Sequence, residues 1–334
     1  MNRIIKLFLA CLCFVVVGCS KNESDYKAKL NVNVQPVNIS FERYEDVLFN
    51  IDTANFQSEL IAIQNQYQVF LRGDLNNPNA VKYLKNFATD PYCIGMYQKV
   101  KKAYPNLNEV KEIVEGVLAH FHYYYPEIQI PEKAYTCITG ISVDEPAVQI
   151  IDNNLVISLD WYLDYDEVYD QIGMPKYMQH RTRKATLACD VAEQLYMAYL
   201  YKWRKQGDVL NEMVYFGRMN FFVEAMYPKL SDDILFSWSP EQLEWVNENE
   251  GMVWADIVGQ KRLYETGLDS YLMFFGDGPF TQAYGNDSPS RLGKFFGTKI
   301  IRSYFASHDV SLNQLIDNTD LQGIFLESGY KPQK

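Results

Sequence analysis

The sequence predicts an α+β fold that is mostly helical, with a small antiparallel sheet near the middle of the chain. Three observations carry this reading. Apolar residues recur at helical spacing through most of the chain, above all from Tyr177 onward. Between Tyr135 and Leu159 the composition turns β-rich instead, around the turn pair Asn153-Asn154. No internal repeat and no low-complexity tract interrupts the body, so roughly 300 residues form one domain rather than an array.

The first element is not part of that body. Arg3 and Lys6 precede an apolar run from Leu7 to Val17 that is too short to span a bilayer as a stable helix. Gly18 and Cys19 follow. Residues 1–18 therefore read as a signal peptide, and Val16-Val17-Gly18-Cys19 resembles a lipobox, at which the cysteine is lipidated and becomes the new N-terminus. Two or more acyl chains, at ~0.8 kcal/mol per buried methylene, make such an anchor stable where one would be marginal. The polar stretch Ser20–Lys29 has almost no apolar content, so residues 19–31 read as lipidated cysteine and flexible tether, with a single domain over 32–334. No later segment approaches 18 uninterrupted apolar residues.

Within the body, Val32–Ile51 is extended at first and turns helical near Glu42. Thr53–Leu71 places Phe56, Leu60, Ile63, Tyr67 and Phe70 on one helical face. Asn76-Asn77-Pro78 breaks the chain before a helix over Asn79–Phe87. Asn106 caps a long helix over Leu107–Tyr125, stopped by Pro126. Strands follow at Tyr135–Val143, Ala147–Ile151 and Leu155–Leu159, the last two as a hairpin. Helices are then expected over Arg181–Trp203, Val209–Tyr227, Pro240–Asn247, Met252–Tyr264, Leu292–Ser307 and Asp320–Glu327.

The chain carries a formal charge of −11, and loss of Arg3 and Lys6 with the signal makes the body more acidic still. Nucleic-acid binding needs clustered basic residues and is excluded. Cys93, Cys137 and Cys189 remain in the body. An odd trio allows one bridge at most, so this is no disulfide scaffold.

No Walker loop, G-x-S-x-G or G-x-G-x-x-G is present. Asp160, Asp164, Asp166, Glu167 and Asp170 lack the glycine and final glutamate of a calcium loop and read as a solvated loop. Tyr123-Tyr124-Tyr125 at helical spacing reads as core rather than a groove lining. The order hairpin, long helix, second helix is the layout of the zincin metallopeptidases, whose H-E-x-x-H sets two zinc-binding histidines at i and i+4 with a glutamate to activate water. Here no such motif exists, and His120, His122, His180 and His308 have no partner at that spacing. The run Lys184–Glu193 nevertheless resembles the corresponding segment of predicted zinc-peptidase-like families. Cys189 and Glu193 would replace the histidines and Asp190 the glutamate, while Phe216 stands where a second-helix ligand would be. Phenylalanine cannot ligate, and two ligands do not make a zinc site. A degenerate zincin-like architecture follows, with no metal, no cofactor and no catalytic residue expected.

Several longer stretches resemble the gliding motility lipoprotein GldB family of the Bacteroidota. They include Phe41–Phe49, Tyr124-Tyr125-Pro126 with Ile130-Pro131, Asn154–Asp160, Trp238–Trp245, Ser288–Gly293, Gly297–Tyr304 and Glu327–Pro332. One departure is Lys294-Phe295-Phe296, which stands where the family tends to carry a tryptophan. The resemblance implies an envelope lipoprotein associated with gliding motility and linked protein secretion. With the degenerate zinc register, it implies a non-catalytic binding or assembly component of that machinery, on the outer membrane. Surface export favours an acidic cluster close behind the lipidated cysteine, and Glu23 and Asp25 are separated here, so the protein is expected to face the periplasm. The rival readings are a zinc-dependent peptidase with atypical ligands and a glycan- or peptide-binding lipoprotein.

Cys19→Ala should block both processing of the precursor and labelling by a palmitate analogue. Normal labelling of that variant would remove the anchor assignment.

Overall fold

The computed structural model describes residues 21–142 and 145–332, with side chains from Tyr26 onward; Cys19 lies outside the described residues. The elements run α1 (Lys21–Leu30), β1 (Ser40–Arg43), α2 (Tyr44–Leu48), α3 (Phe56–Ile63), α4 (Pro78–Thr89), α5 (Pro91–Ala103) and α6 (Asn108–Tyr124). Next come β2 (Lys133–Cys137), β3 (Val148–Ile151) and β4 (Asn154–Ser158), then the one-turn helices α7 (Val168–Gln171) and α8 (Lys176–Gln179). The C-terminal half holds α9 (Leu187–Leu195), α10 (Val209–Met226), α11 (Asp232–Leu235), α12 (Pro240–Gly259) and α13 (Leu268–Phe275). It closes with α14 (Leu292–Ser307), α15 (Leu312–Asp317) and α16 (Leu321–Ser328). The α+β class holds. Among the described residues no helix is long and apolar enough to cross a membrane.

Local chemistry explains most boundaries. Asn77 and Asp90 each cap a helix that starts with proline, their side chains accepting from the backbone of Asn79 and of Tyr92 and Cys93. Ser239 with Gln242, and Ser311 with Gln314, form capping boxes. The expected helices over 240–247 and 252–264 are one continuous α12 through Gly251. The glycine costs about 1 kcal/mol relative to alanine, and burial of Val246, Val253, Trp254 and Ile257 offsets it. The helix expected over 181–203 starts only at Leu187 and closes with a π-helical turn over Tyr196–Leu200.

The sheet corrects the expectation of an antiparallel one. Its order is β1-β2-β4-β3, with β1/β2 and β2/β4 parallel and β3/β4 antiparallel. Only the last pair is a hairpin, turned by Asp152 and Asn153, both at positive φ. The long α2–α6 connection between β1 and β2 supplies the crossover that parallel strands require. The pleat then divides the core. Ala134, Leu155 and Ile157 face the large cluster built on α6, α9, α10 and α14. Tyr135, Cys137 and Val156 face a smaller one with Tyr44, Phe56, Leu60 and Tyr67.

The flexible tether is a second correction. From Tyr26 the chain is docked, with Tyr26 and Leu30 only 1% and 2% exposed. Lys29 Nζ donates to the carbonyls of Phe305, Ala306 and His308 at 2.8, 3.4 and 2.8 Å. Those groups end α14, where a cation meets the negative end of the helix dipole. Two apolar residues and one lysine are enough to fix a stretch whose mean composition looks unable to fold.

Helices α10 and α14 approach most closely at Gly217 and Gly297. A Cβ on Gly217 would overlap the backbone of Gly297, and one on Gly297 would overlap the Met213 carbonyl. Along the same seam Asn220 Nδ2 donates to Thr298 Oγ1 at 3.1 Å, and Arg302 makes a two-bonded pair with Glu224 at 2.7 and 3.0 Å. Gly297→Ala should therefore destabilise the protein by about 2 kcal/mol or more through overpacking, despite alanine's better helix propensity. Gly95, exposed in α5 with nothing within 4 Å of a Cβ, is the control. Gly95→Ala should stabilise by about 0.5–1 kcal/mol. Urea denaturation of both variants checks the pair of signs.

Candidate functional site

Helix α9 turns Leu187, Ala188, Val191, Ala192 and Leu195 into the core. The remaining face carries Asp190, Glu193 and Gln194, and it forms the floor of a groove with two connected parts. The first, about 270 Å³, lies against the start of the hairpin, with Pro146, Ala147, Val148, Trp161, Met178 and Arg181 as walls. The second, about 400 Å³, lies between α9 and α10, with Met197, Tyr201, Tyr215, Phe216 and Tyr271. Glu193 and Gln194 line both parts.

The hairpin presents a strand edge at this groove. Ser158 N–H donates to the Ala147 carbonyl at 2.8 Å, which in this register makes Ala147, Gln149 and Ile151 the ladder-bonded residues. The backbone groups of Val148 and Ile150 then point away from β4. Among the described residues no strand pairs with that outer edge of β3.

The four residues in the zincin register have separate fates. Cys189 is buried and belongs to the core cluster, not to either groove wall. Burial first, then the neighbouring Asp190 and Glu193, push its thiol far above the usual range, so it stays protonated. Asp190 reaches the groove and accepts a short hydrogen bond from Tyr162 Oη. Burial and the charge of Glu193 raise its carboxyl to about 7, against the opposing Tyr162 bond. Glu193 is exposed to both parts of the groove. Phe216 stacks on Phe275 at 5.4 Å between ring centres, and the Lys294 ammonium lies 4.9 Å above its ring.

Lys294 belongs to a charged cluster behind the groove that sequence spacing does not reveal. Burial and the adjacent Arg291 lower its amine to about 8. Arg291, in the left-handed region at φ 61°, donates to the Phe236 carbonyl at 2.6 Å and lies 3.5 Å from Asp277. Arg181 pairs with the same carboxylate. Burial alone would raise Asp277, but Arg181 and Arg291 outweigh it and hold it below the usual carboxylate range. The one sequence signal is the Ser288–Gly293 run, which delivers Arg291 to the start of α14. Among the described residues no three or more His, Cys, Asp and Glu side chains are grouped to hold a metal ion. The groove offers instead a strand edge, a protonatable carboxyl, a free carboxylate and an aromatic wall.

Other sequence candidates lie elsewhere. His120 Nδ1 bonds to the Gly116 carbonyl at 2.8 Å, His180 to Tyr165 Oη at 3.1 Å and His308 to the Tyr304 carbonyl at 2.9 Å, while His122 is exposed. Tyr125 is core, Tyr124 packs against it and Tyr123 is exposed. Cys93, Cys137 and Cys189 are free thiols. The acidic run corrects the solvated-loop expectation at Asp160, which is fully buried. Its Oδ2 accepts from the backbone N–H groups of Thr139, Gly140 and Ile141 at 3.1, 2.8 and 3.1 Å. It pins the turn after β2, with Gly140 and Ile141 both at positive φ. Asp166 and Asp170 pair with Lys99 and Lys176.

The raised Asp190 carboxyl has a stability consequence. Its folded value of about 7 lies above the ordinary 3.8 of an aspartate, so between those limits the folded state binds the extra proton. Stability from this group is thus present at low pH and lost as pH rises toward 7. Asp190→Asn should match the wild type near pH 4, exceed it at pH 8 and flatten the slope between. Denaturant titrations across that range check it, and an unchanged slope would reject the assignment.

No match was found among curated proteins or among solved structures. A profile of the family described as gliding motility protein GldB matches residues 25–332. That span takes in nearly all of the docked α1 side chains, both faces of the sheet and the whole α9 groove. The chain therefore belongs to the GldB family of gliding motility lipoproteins.

Proposed function

We propose that this protein is a non-catalytic binding or assembly component of the gliding motility and linked secretion machinery. In this reading it is lipid-anchored through Cys19 to the outer membrane, faces the periplasm and holds an extended peptide segment of another envelope protein in the α9 groove. The observation that carries the reading is the outer edge of β3 beside a continuous groove on α9. An extended peptide adds to such an edge through main-chain hydrogen bonds, and alternate side chains enter the pockets. The residues in the zincin register favour binding over hydrolysis. Cys189 turns inward as a thiol, and Phe216 forms part of an aromatic stack under Lys294. A hydrolytic zinc site needs three protein ligands and an open position.

Two measurements test this. Purified mature protein should carry substoichiometric zinc and cleave no peptide above background, and Cys189→Ala with Glu193→Gln should leave cellular function intact. A photo-crosslinking residue at Gln149 should trap an envelope partner in cells, and Ile150→Pro, which removes an outward-directed N–H, should abolish that product. Stoichiometric zinc lost with activity in the double variant would make the protein an enzyme. Undiminished crosslinking with Ile150→Pro would remove the strand-addition mode.

A further inference from the structure

A second cleft, of about 350 Å³, lies between residues 200–207 and the corner joining α15 to α16. Its lining holds Lys202, Arg204, Lys205 and Arg218 against one acid, Asp317. This is a local excess of positive charge in a chain of net charge −11. Two of the four cations are already engaged. Arg204 makes a two-bonded pair with Glu212 and lies 3.6 Å over the Tyr215 ring, and Lys202 pairs with Asp317 at 2.8 Å.

Arg218 differs. It is 7% exposed, and its Nη1 donates to the carbonyls of Leu315, Ile316 and Asn318 at the end of α15. Among the described residues it makes no ion pair. Among the described residues its buried Nε has no hydrogen-bond partner and Nη2 makes no hydrogen bond. A buried guanidinium bonded to carbonyl dipoles, with Asp317 nearby but not paired to it, leaves part of its charge unanswered. The carbonyl bonds account for a structural role of Nη1 but not for the rest of the fork. At the rim, Lys205 is exposed and makes no ion pair among the described residues. Beside it Trp203 is 82% exposed, an unusual position for the largest apolar side chain.

We propose that this cleft binds an organic oxyanion, a carboxylate or phosphate ester carried on a ring-sized body. Arg218 and Lys205 take the anion, because a guanidinium fork and an ammonium give charge-assisted hydrogen bonds to such oxygens. Trp203 covers the ring. The site is distinct from the β3 edge and stands or falls independently of the peptide reading, although Arg204 and Tyr215 line both cavities.

Calorimetric titration of the mature protein with phenyl phosphate, and with benzyl alcohol as the neutral control, tests this. Saturable binding of phenyl phosphate is expected at or below roughly 1 mM, with none for the alcohol. Lys205→Glu and Arg218→Gln should each weaken it about tenfold or more, the size of one lost charge-assisted bond, and Trp203→Ala should weaken it as well. Because Arg218 also holds the end of α15, Arg218→Gln is read only if its melting curve stays cooperative. Lys205→Glu, on an exposed side chain, carries the test in any case. Equal affinity for the alcohol, no saturable binding of phenyl phosphate, or wild-type affinity in Lys205→Glu would each overturn the proposal.

Discussion

The contact of Gly217 with Gly297 is the constraint on which the rest of the structure depends. Two helices whose backbones touch cannot slide or rotate without collision, so everything on α10 and α14 is fixed relative to that point. One residue before Gly217, Phe216 is brought beneath the Lys294 ammonium. One residue after it, Arg218 is turned the other way, toward the end of α15. Further along the seam Glu224 meets Arg302, and the N-terminal helix docks over that junction, with Tyr26 giving its hydroxyl to Glu224 at 3.3 Å. A spacing set by two missing side chains thus positions the groove, the second cleft and the attachment of α1.

Charge buried around this scaffold is handled in contrasting ways. Arg302 is answered by two carboxylates, Glu224 and Asp232, with hydrogen bonds on each side of its fork. Desolvating three ions is costly, and close geometry is what offsets that cost. Removing one member would leave the others stranded, so the trio specifies the α10–α14–α11 arrangement. Asp160 is balanced differently, by three backbone N–H groups and no cation, and burial leaves its carboxyl raised to about 6. Arg218, like Asp160, keeps one buried polar atom without a partner, but Arg218 lines a cleft with other cations, and that sets it apart from the merely structural contacts.

On α9, an i, i+4 pair that sequence spacing would place together is divided between core and groove. Position i of the i, i+4 pair faces the core and position i+4 faces the groove, so Cys189 and Glu193 do not converge on one external point. The cations Arg181, Arg291 and Lys294 stand behind that face, with Asp277 between two of them. Fixed ammonium and guanidinium groups at this place favour anionic or polar ligand groups over a divalent ion, because like charges repel at short range.

The sequence by itself determined the class, the family and the bounds of α4, α6, α10, α14 and α16 to within two residues. Each of these is local: a capping side chain before a proline, an apolar period of 3.6, or a run of residues in an order specific to the family. The helix over Leu292–Ser307 was legible to the residue because Pro289 precedes it, its apolar face is unbroken and His308 closes it. The parallel pairing of β1 with β2, the docking of Tyr26 and Lys29, and the burial of Asp160 were decided only by tertiary structure. In each case the partner lies far along the chain, and composition averaged over a window cannot report one lysine reaching three carbonyls. The groove shared this division. Asp190 and Glu193 could be named from their spacing, but their setting could not. Arg181, Asp277, Arg291 and Lys294 come together only when the segments before α9 and after α13 pack against the start of α14, because electrostatic fields act through space rather than along the sequence.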